Sequence, residues 1–516
     1  MGAAGSADRA QSEALIAMAM TVDGLLSSSA RRRPAQQALI AGGISLSYGE
    51  LDAMVSRFAR VLLAMGISTG ERIGVVLPNS LEMVVAFYAA SRAGAVFVPM
   101  NPAFTDRELQ HILSDSEVKL AICRPSHRDR LEALKAQTGV TQVLPIADAA
   151  QLQELCAAHG AVPLVPPDDA ITHSILYTSG TTGKPKGAVF SHFGRIYNSL
   201  TCQLGYRVHA ETRMNCAPPM FHSGGMMLAL LNVVGAGGTL LLPADAGPDS
   251  TRHALENLGA NYLLTVPTII RRLVDDAPFS AAARGRTFSI LHGGAAMPPS
   301  LMEQMRQSWP QCLPFHAYGA TEAPQLTVLP PEDYFDYPGA LGRALPGMEV
   351  SVRRPDASLV APGELGEITT SGPHVLDAYL NQPEATRERL RLGRFWTGDQ
   401  ATVDDTGVIT IMGRSSDLII TGGLNVYARE VEDVLHACAG VRHAAVFALP
   451  DPEWGELVVA AIQAAPDAPA TAAALEQSCR EKLASYKRPK RFFFVEDLPL
   501  TPAGKVQKFR LVEKFS

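Results

Sequence analysis

Residues 177–187 read Tyr-Thr-Ser-Gly-Thr-Thr-Gly-Lys-Pro-Lys-Gly, and no other stretch limits so strongly what the chain can fold into. Positions 179–187 hold three glycines, two threonines, one serine and two lysines. With so little side-chain bulk, backbone N–H groups can turn toward an anion, hydroxyls can donate to phosphate oxygens, and lysines can neutralise charge. The run 171–176 ahead of it predicts a short strand. A flexible linker is the bland alternative, but linkers rarely carry Lys-Pro-Lys-Gly directly after a strand. A Walker A loop needs G-x-x-x-x-G-K-[ST]. Here Thr178 stands where its first glycine belongs, and Pro185 follows Lys184. The stretch reads as a phosphate loop of another kind.

The chain has 516 residues, too many for one core, so two or more domains are expected. Its net charge of −6, from 45 basic and 51 acidic residues, gives no field for nucleic acid. Seven cysteines at 123, 156, 202, 216, 312, 438 and 479 form no C-x-x-C, which argues against a zinc site or a disulfide framework. A reducing cytoplasm fits that usage. The apolar run 14–20 is flanked by Glu13 and Asp23, unlike a signal peptide. Residues 223–244 carry no charge but include five glycines, an asparagine and a proline. They read as a helix over 226–234 and a buried strand over 239–242, not as a transmembrane segment.

Residues 1–20 read as a loose leader. Beyond them helix and strand patterns alternate. Ser47-x-x-Glu50 and Asn79-x-x-Glu82 are capping boxes, each opening an amphipathic helix that Gly66 and Gly94 stop. Strands are expected at 72–77, 95–100 and 118–123, then at 261–266 and 288–292. This alternation predicts helices layered on a mainly parallel sheet. Ligands in such sheets bind beyond the carboxyl ends of strands, so the turns Val266-Pro267-Thr268 and Gly293-Gly294-Ala295-Ala296 are candidate site turns. Past Pro338 short runs at 348–352, 367–370 and 408–412, separated by glycine turns, suggest a β-rich subdomain. A last unit begins near Leu418. Val431, Val434, Leu435 and Cys438 share a helix face, followed by strands at 441–449 and 457–462, a helix at 472–483 and a strand at 492–495. The fold class is therefore α/β: a large N-terminal domain of layered α/β subdomains plus a β-rich subdomain, with a small C-terminal α/β domain.

Further motifs follow the loop: Tyr318-Gly319-Ala320-Thr321-Glu322, Trp396-Thr397-Gly398-Asp399, Gly413-Arg414-Ser415-Ser416-Asp417, Gly422-Gly423 and Gly504-Lys505. Each alone is weak. Their order and company resemble the adenylate-forming superfamily of acyl-CoA synthetases, non-ribosomal adenylation domains and beetle luciferases. Fatty or aromatic acyl-CoA ligases are the nearest likeness. The resemblance runs from about residue 25 to 510.

The resemblance implies a role for each position. Thr178, Ser179, Gly180, Thr181, Thr182, Gly183, Lys184 and Lys186 would hold the β- and γ-phosphates of ATP, with Thr181 counted among the catalytic residues. Gly294, Ala295, Ala296, Ala317, Tyr318 and Gly319 would form the adenine slot. Thr321 would touch the α-phosphate, and Glu322 would hold magnesium, a hard cation suited to carboxylate and phosphate oxygens. Asp399 would accept from both ribose hydroxyls and Arg414 would donate to the ribose. Lys505 would bridge the acyl carboxylate and the α-phosphate, offsetting the repulsion when one anion attacks another. Acyl-AMP and pyrophosphate would form first, then coenzyme A would take the acyl group. A rotation of the C-terminal domain would separate the steps. The implied division is 1–20 leader, 21–413 N-terminal domain, 414–417 hinge and 418–516 mobile domain. Ser416 departs from the Asp or Lys usual two residues after the arginine. Gly422 and Gly423 would line the tunnel for the thiol arm, where absent side chains leave room.

His222, in Pro-Met-Phe-His, resembles the family's aromatic-His segment beside the acyl site and joins the catalytic set. His192, His292 and His316 read more as core residues. Met226, Met227, Val266, Gly293 and Ala320 are expected pocket walls. Those stretches hold no Lys or Arg, so a dicarboxylate would bury its second charge unpaired, at a cost of about several kcal/mol. The expected substrate is an apolar monocarboxylic acid, a medium- or long-chain fatty acid or an aromatic or cyclic one. The basic residues between Arg480 and Arg491 read as a solvated face first and as a hold on CoA phosphates second. The competing reading is an acyl-AMP ligase that loads a carrier protein or forms an amide. The expected cofactors are ATP, Mg2+ and coenzyme A. The partners are a small-molecule carboxylic acid and CoA, with no nucleic acid; a homodimer is compatible with the sequence.

Overall fold

The structure, a computed structural model, describes residues 21–160, 172–178, 185–245, 247–275, 279–295, 297–414, 417–466, 469–500 and 506–516. The expectations placed on the leader 1–20, on Ser179, Gly180, Thr181, Thr182, Gly183 and Lys184, and on Ala296, Ser415, Ser416 and Lys505 lie outside the described residues.

Two large sheets follow the predicted alternation. One runs edge to edge as Ala378–Tyr379, Lys186–Ser191, Thr172–Thr178, Val96–Pro99, Arg72–Val76, Val118–Cys123 and Gln142–Pro145. From Thr172–Thr178 onward its strands are parallel; the first two are antiparallel additions. The other has nine strands, with Arg213–Cys216, Tyr262–Thr265, Phe288–Gly293 and Cys312–Tyr318 parallel at its centre. One core cluster joins side chains from both sheets, including Ile73 and Phe97 from the first and Leu264 and Phe315 from the second. Helix Leu81–Arg92 is buried along its whole length in that cluster. Arg92 ties it to its neighbours, donating to Asp23 at 2.7 Å and to Asp52 at 2.6 Å.

Local signals decided some elements and tertiary contacts decided others. Ser47 and Glu50 make both bonds of a capping box on helix Tyr48–Ala64. The box expected at Asn79 and Glu82 does not form: Ser80 caps the helix, and buried Glu82 pairs with Arg124 at 2.8 Å. Asn79 instead donates to Pro218 O at 2.9 Å and accepts from Met220 N at 2.7 Å. Residues expected as one α-helix over 226–234 form a π-helix, Gly224–Leu231, and an α-helical turn, Asn232–Ala236. Such wide turns recur at functional sites.

The β-rich region is an antiparallel sheet of Glu349–Arg353, Gly366–Ser371, Arg394–Val403 and Leu390–Arg391, with Ile409–Arg414 also on Arg394–Val403. The C-terminal unit places Ala428–His436 and Ala472–Lys482 in one apolar cluster with the strands Val441–Asp451 and Gly455–Ala464. The fold is α/β, with a large N-terminal part and a small C-terminal domain. Among the described residues no helix is long and apolar enough to cross a membrane.

Five histidines are buried: His173, His192, His292, His316 and His374. Burial holds each below the ordinary value, His192, His316 and His374 at about 4. The folded chain therefore favours the neutral rings, whereas the unfolded chain takes up protons below about 6.5. Their contribution is fully present above that pH and is lost as pH falls toward 4. Asp23, raised by burial to about 6, and Glu367, Asp377 and Asp433, also raised by burial, act in the opposite sense, whereas His436 and His443, lowered by burial, add to the loss. The melting temperature is expected to fall steeply between pH 6.5 and 4; a flat profile there would contradict this account.

Candidate active site

The strands Thr172–Thr178 and Lys186–Ser191 pair antiparallel, with Tyr177 opposite Gly187 and Thr178 opposite Lys186. The two ends of the phosphate loop are thus held side by side. Gly187 is required there, because a Cβ would stand 2.9 Å from Ile175 and 3.0 Å from the Tyr177 ring. Helix Asp106–Asp115 braces both ends. Tyr177 Oη donates to Asp115 Oδ2 at 2.6 Å, and His111 Nε2 bonds Pro185 O at 3.0 Å. Neither residue was visible as a site feature in the sequence.

The second set of turns lies at the carboxyl ends of Phe288–Gly293 and Cys312–Tyr318. Gly293 stands beside Ala317, where a Cβ would meet Ala317 O at 2.4 Å. Gly294 follows at φ +78° and would meet nothing within 4 Å, leaving the neighbouring space open; Ala295 is exposed beside it. The chain then doubles back after Tyr318 onto Thr327–Leu329. Gly319 permits this turn, since a Cβ there would lie 2.3 Å from Gln325 N. Thr321 and Glu322 sit at the tip of this turn. Glu322 Oε1 accepts from Tyr379 Oη at 2.7 Å, and Lys186 Nζ lies 5.4 Å from the Tyr379 ring centroid.

Asp399 lies opposite Arg414 in neighbouring strands, next to a register shift. It is 3% exposed and accepts from Tyr318 Oη at 2.6 Å and from Arg414 Nε at 3.0 Å. The Asp399 charge raises the Arg414 pKa, and burial, then Asp399, pushes the Tyr318 phenol well above its usual value. So the structure joins Tyr318, distant in sequence, to Asp399 and Arg414 of one strand pair in a single hydrogen-bonded group. Among the described residues no three His, Cys, Asp or Glu side chains cluster as a metal cage. Mg2+ needs no such cage, since it is bound through one or two carboxylates and substrate phosphates; Glu322 is a single carboxylate bonded to Tyr379, over whose ring Lys186 stands.

His222 is half-buried in the turn that Asn79 braces, its ring 4.7 Å from that of Phe221. Val266 and Ala320 are also half-buried. Met226 and Met227, expected as pocket walls, are instead fully buried in the main core. Behind Met227 lies buried Arg195, whose Nη1 is 3.5 Å from the Met227 sulfur; it also meets Ser174 Oγ and the Phe190 face and interacts electrostatically with Asp377. Gly422 and Gly423, at φ +56° and +78°, make a two-residue turn between Leu418–Thr421 and Leu424–Tyr427 in the C-terminal sheet. Gly422 packs against Trp454 so closely that a Cβ would stand 2.8 Å from its ring.

Turns gathered beyond the carboxyl ends of parallel strands are where open α/β sheets bind nucleotides. The class follows: a nucleotide-binding α/β enzyme. Comparison with known proteins narrows it. The family described as AMP-binding enzyme matches residues 26–380, and AMP-binding enzyme C-terminal domain matches 430–505. A feruloyl-CoA synthase of Amycolatopsis sp is 34% identical over 488 residues, covering 94% of this chain and 97% of its own. The long-chain-fatty-acid–CoA ligase FadD13 of Mycobacterium tuberculosis is 32% identical, over 92% of this chain and 94% of its own. The crystal structure of ATP-bound MatB from Rhodopseudomonas palustris matches with a TM-score of 0.89 at 32% identity, over 96% of this chain and 99% of that one. The chain belongs to the AMP-binding enzyme family, within the adenylate-forming superfamily. It is an AMP-forming acyl-CoA synthetase, which joins a carboxylic acid to CoA using ATP and Mg2+.

Proposed function

We propose that the acid is an apolar monocarboxylic acid, fatty or aromatic, and that the residues above divide the work as follows. Asp399 and Arg414 take the ribose, with Tyr318 against the adenine. Thr178 and Lys186 flank the loop that holds the β- and γ-phosphates. Mg2+ on Glu322 neutralises phosphate charge. Lys505 steadies the acyl carboxylate against the α-phosphate, and His222 lies beside the acyl group. The C-terminal domain, beginning past residue 417, then turns about 414–417 so that Gly422 and Gly423 admit the thiol arm.

The observation that carries the substrate class is the lack of any Lys or Arg among Val266, Gly293, Ala320 and the His222 segment. The nearby buried cation, Arg195, sits behind Met227 and is engaged with Ser174 and Phe190. A second carboxylate would lose its hydration without gaining a partner, at about several kcal/mol. The feruloyl-CoA synthase and the long-chain-fatty-acid–CoA ligase are named for acids of this class, whereas a 2-succinylbenzoate–CoA ligase of Geobacillus kaustophilus, 31% identical, is named for a dicarboxylic acid.

An acid panel tests this. With ATP and Mg2+, pyrophosphate release and acyl-CoA formation are expected for aromatic propenoic acids or medium- to long-chain fatty acids, and little for short dicarboxylic acids. Preference for a short dicarboxylate would overturn the class. Pyrophosphate and acyl-AMP without any acyl-CoA would favour a carrier-loading or amide-forming role.

A further inference from the structure

Glu322 is a lone carboxylate at the tip of a turn, and something must fix its direction if it is to hold a cation. The segment from Leu376 to Asn381 runs directly past it. Leu376 N donates to Glu322 O at 2.7 Å, and Tyr379 Oη donates to Glu322 Oε1 at 2.7 Å. The same segment is bound to the strand that leaves the phosphate loop: Asp377 N donates to Val189 O at 2.8 Å and Leu380 N to Gly187 O at 2.7 Å. It also reaches the strand that enters the loop. Asn381 Nδ2 donates to Asp115 O at 2.9 Å, and Asp115 accepts from Tyr177. Thus five residues of this segment bond Glu322, the strand that leaves the loop and, through Asp115, the strand that enters it.

We propose that the short strand Ala378–Tyr379 and its flanks form a positioning strap that sets the Glu322 carboxylate at a fixed place relative to the two strands that lead into and out of the phosphate loop. The Tyr379 phenol is its positioning contact. This rests on the reading of Glu322 as the metal-holding carboxylate. Tyr379 is fixed from both sides: its N–H donates to Thr386 Oγ1 at 2.9 Å, and its ring lies under the Lys186 ammonium at 5.4 Å. By holding Oε1, it would leave Oε2 available to a cation. The bonds to Val189 and Gly187 belong to the pairing of this edge strand with Lys186–Ser191; the bonds from Leu376 and Tyr379 to Glu322 are additional to that pairing and tie the carboxylate residue to the same strand.

The test uses the full chain and two substitutions, Tyr379→Phe and Glu322→Gln. ATP binding is measured by calorimetry across a Mg2+ series and in EDTA, beside steady-state rates and thermal melts. Tyr379→Phe is expected to raise the half-saturating Mg2+ concentration about tenfold, the low end for losing a hydrogen-bond partner of a metal ligand. Metal-free ATP binding and the melting temperature should hold. In the double variant, Tyr379→Phe should add nothing to Glu322→Gln, because it acts through that carboxylate. Unchanged Mg2+ dependence in Tyr379→Phe, or an equal loss with Mg2+ and in EDTA, would overturn the strap. If Glu322→Gln shifts the Mg2+ dependence and Tyr379→Phe does not, only the strap fails. If Glu322→Gln also leaves it unchanged, the metal reading falls and the strap with it.

Discussion

Replacing Lys505 with alanine is expected to slow acyl-AMP formation about 10²–10³-fold, the scale of removing one preorganised donor. Transfer from supplied acyl-AMP to CoA should keep its wild-type rate. The reason is electrostatic. In the first step a carboxylate approaches a phosphate, and charge builds on oxygens that a single ammonium can reach together. In the second step a thiol, giving up its proton, attacks the carbonyl of a mixed anhydride; the acyl–phosphate bond breaks and AMP leaves carrying the new negative charge on its phosphate, after the proposed domain turn has taken Lys505 away from the site. The described residues on either side of position 505 are anchored within the C-terminal domain: Leu500 pairs with Val506, and Lys508 bonds Glu432 at 2.8 Å. A movement of that domain would therefore carry position 505 with it. Pyrophosphate release with acid and ATP, and thioester formation from synthetic acyl-AMP, separate the steps. Equal losses in both would contradict the assignment, as would none in the first.

Much of the fold was legible because it rests on local signals. The Ser47 box, the glycine stops and the short apolar runs act within a few residues, and each produced the expected element. The pairing of Asp399 with Arg414 was accessible for a similar reason: they lie on neighbouring strands of one antiparallel pair. What escaped depended on partners far along the chain. Asn79 forsakes its helix for a turn about 140 residues away, a distance over which no spacing rule operates. Tyr379 sits on a two-residue strand, too short to leave a periodic pattern, and meets Glu322 57 positions earlier. Asp115 and His111 look like ordinary helix-end residues until the loop is folded against them. Met226 and Met227 mark the opposite error. Apolar residues after the aromatic-His segment could face a ligand or the core, and the close packing of the two sheets placed them in the core.

Asp399→Ala should raise the KM for ATP about 10²-fold and leave the KM for the acid nearly unchanged. Two charge-assisted hydrogen bonds to ribose hydroxyls, at about 1.5–3 kcal/mol each, would be lost, and about 3 kcal/mol corresponds to roughly two orders of magnitude in affinity. Stability should also fall. The buried Tyr318 phenol would lose its acceptor, and Arg414 its anionic partner. Breaking a fully buried ion pair costs about 3–5 kcal/mol. Here the Arg414 side chain is 48% exposed, so water screens part of the loss and about 1–2 kcal/mol is the better expectation. Asp399→Asn separates the two effects. Its amide oxygen can still accept from Tyr318, which should restore most of the melting temperature. Its nitrogen cannot accept from a ribose hydroxyl and would face the Arg414 donor, so ATP binding should stay weak. If Asp399→Asn binds ATP as the wild type does, the carboxylate serves the fold and the ribose must be held elsewhere.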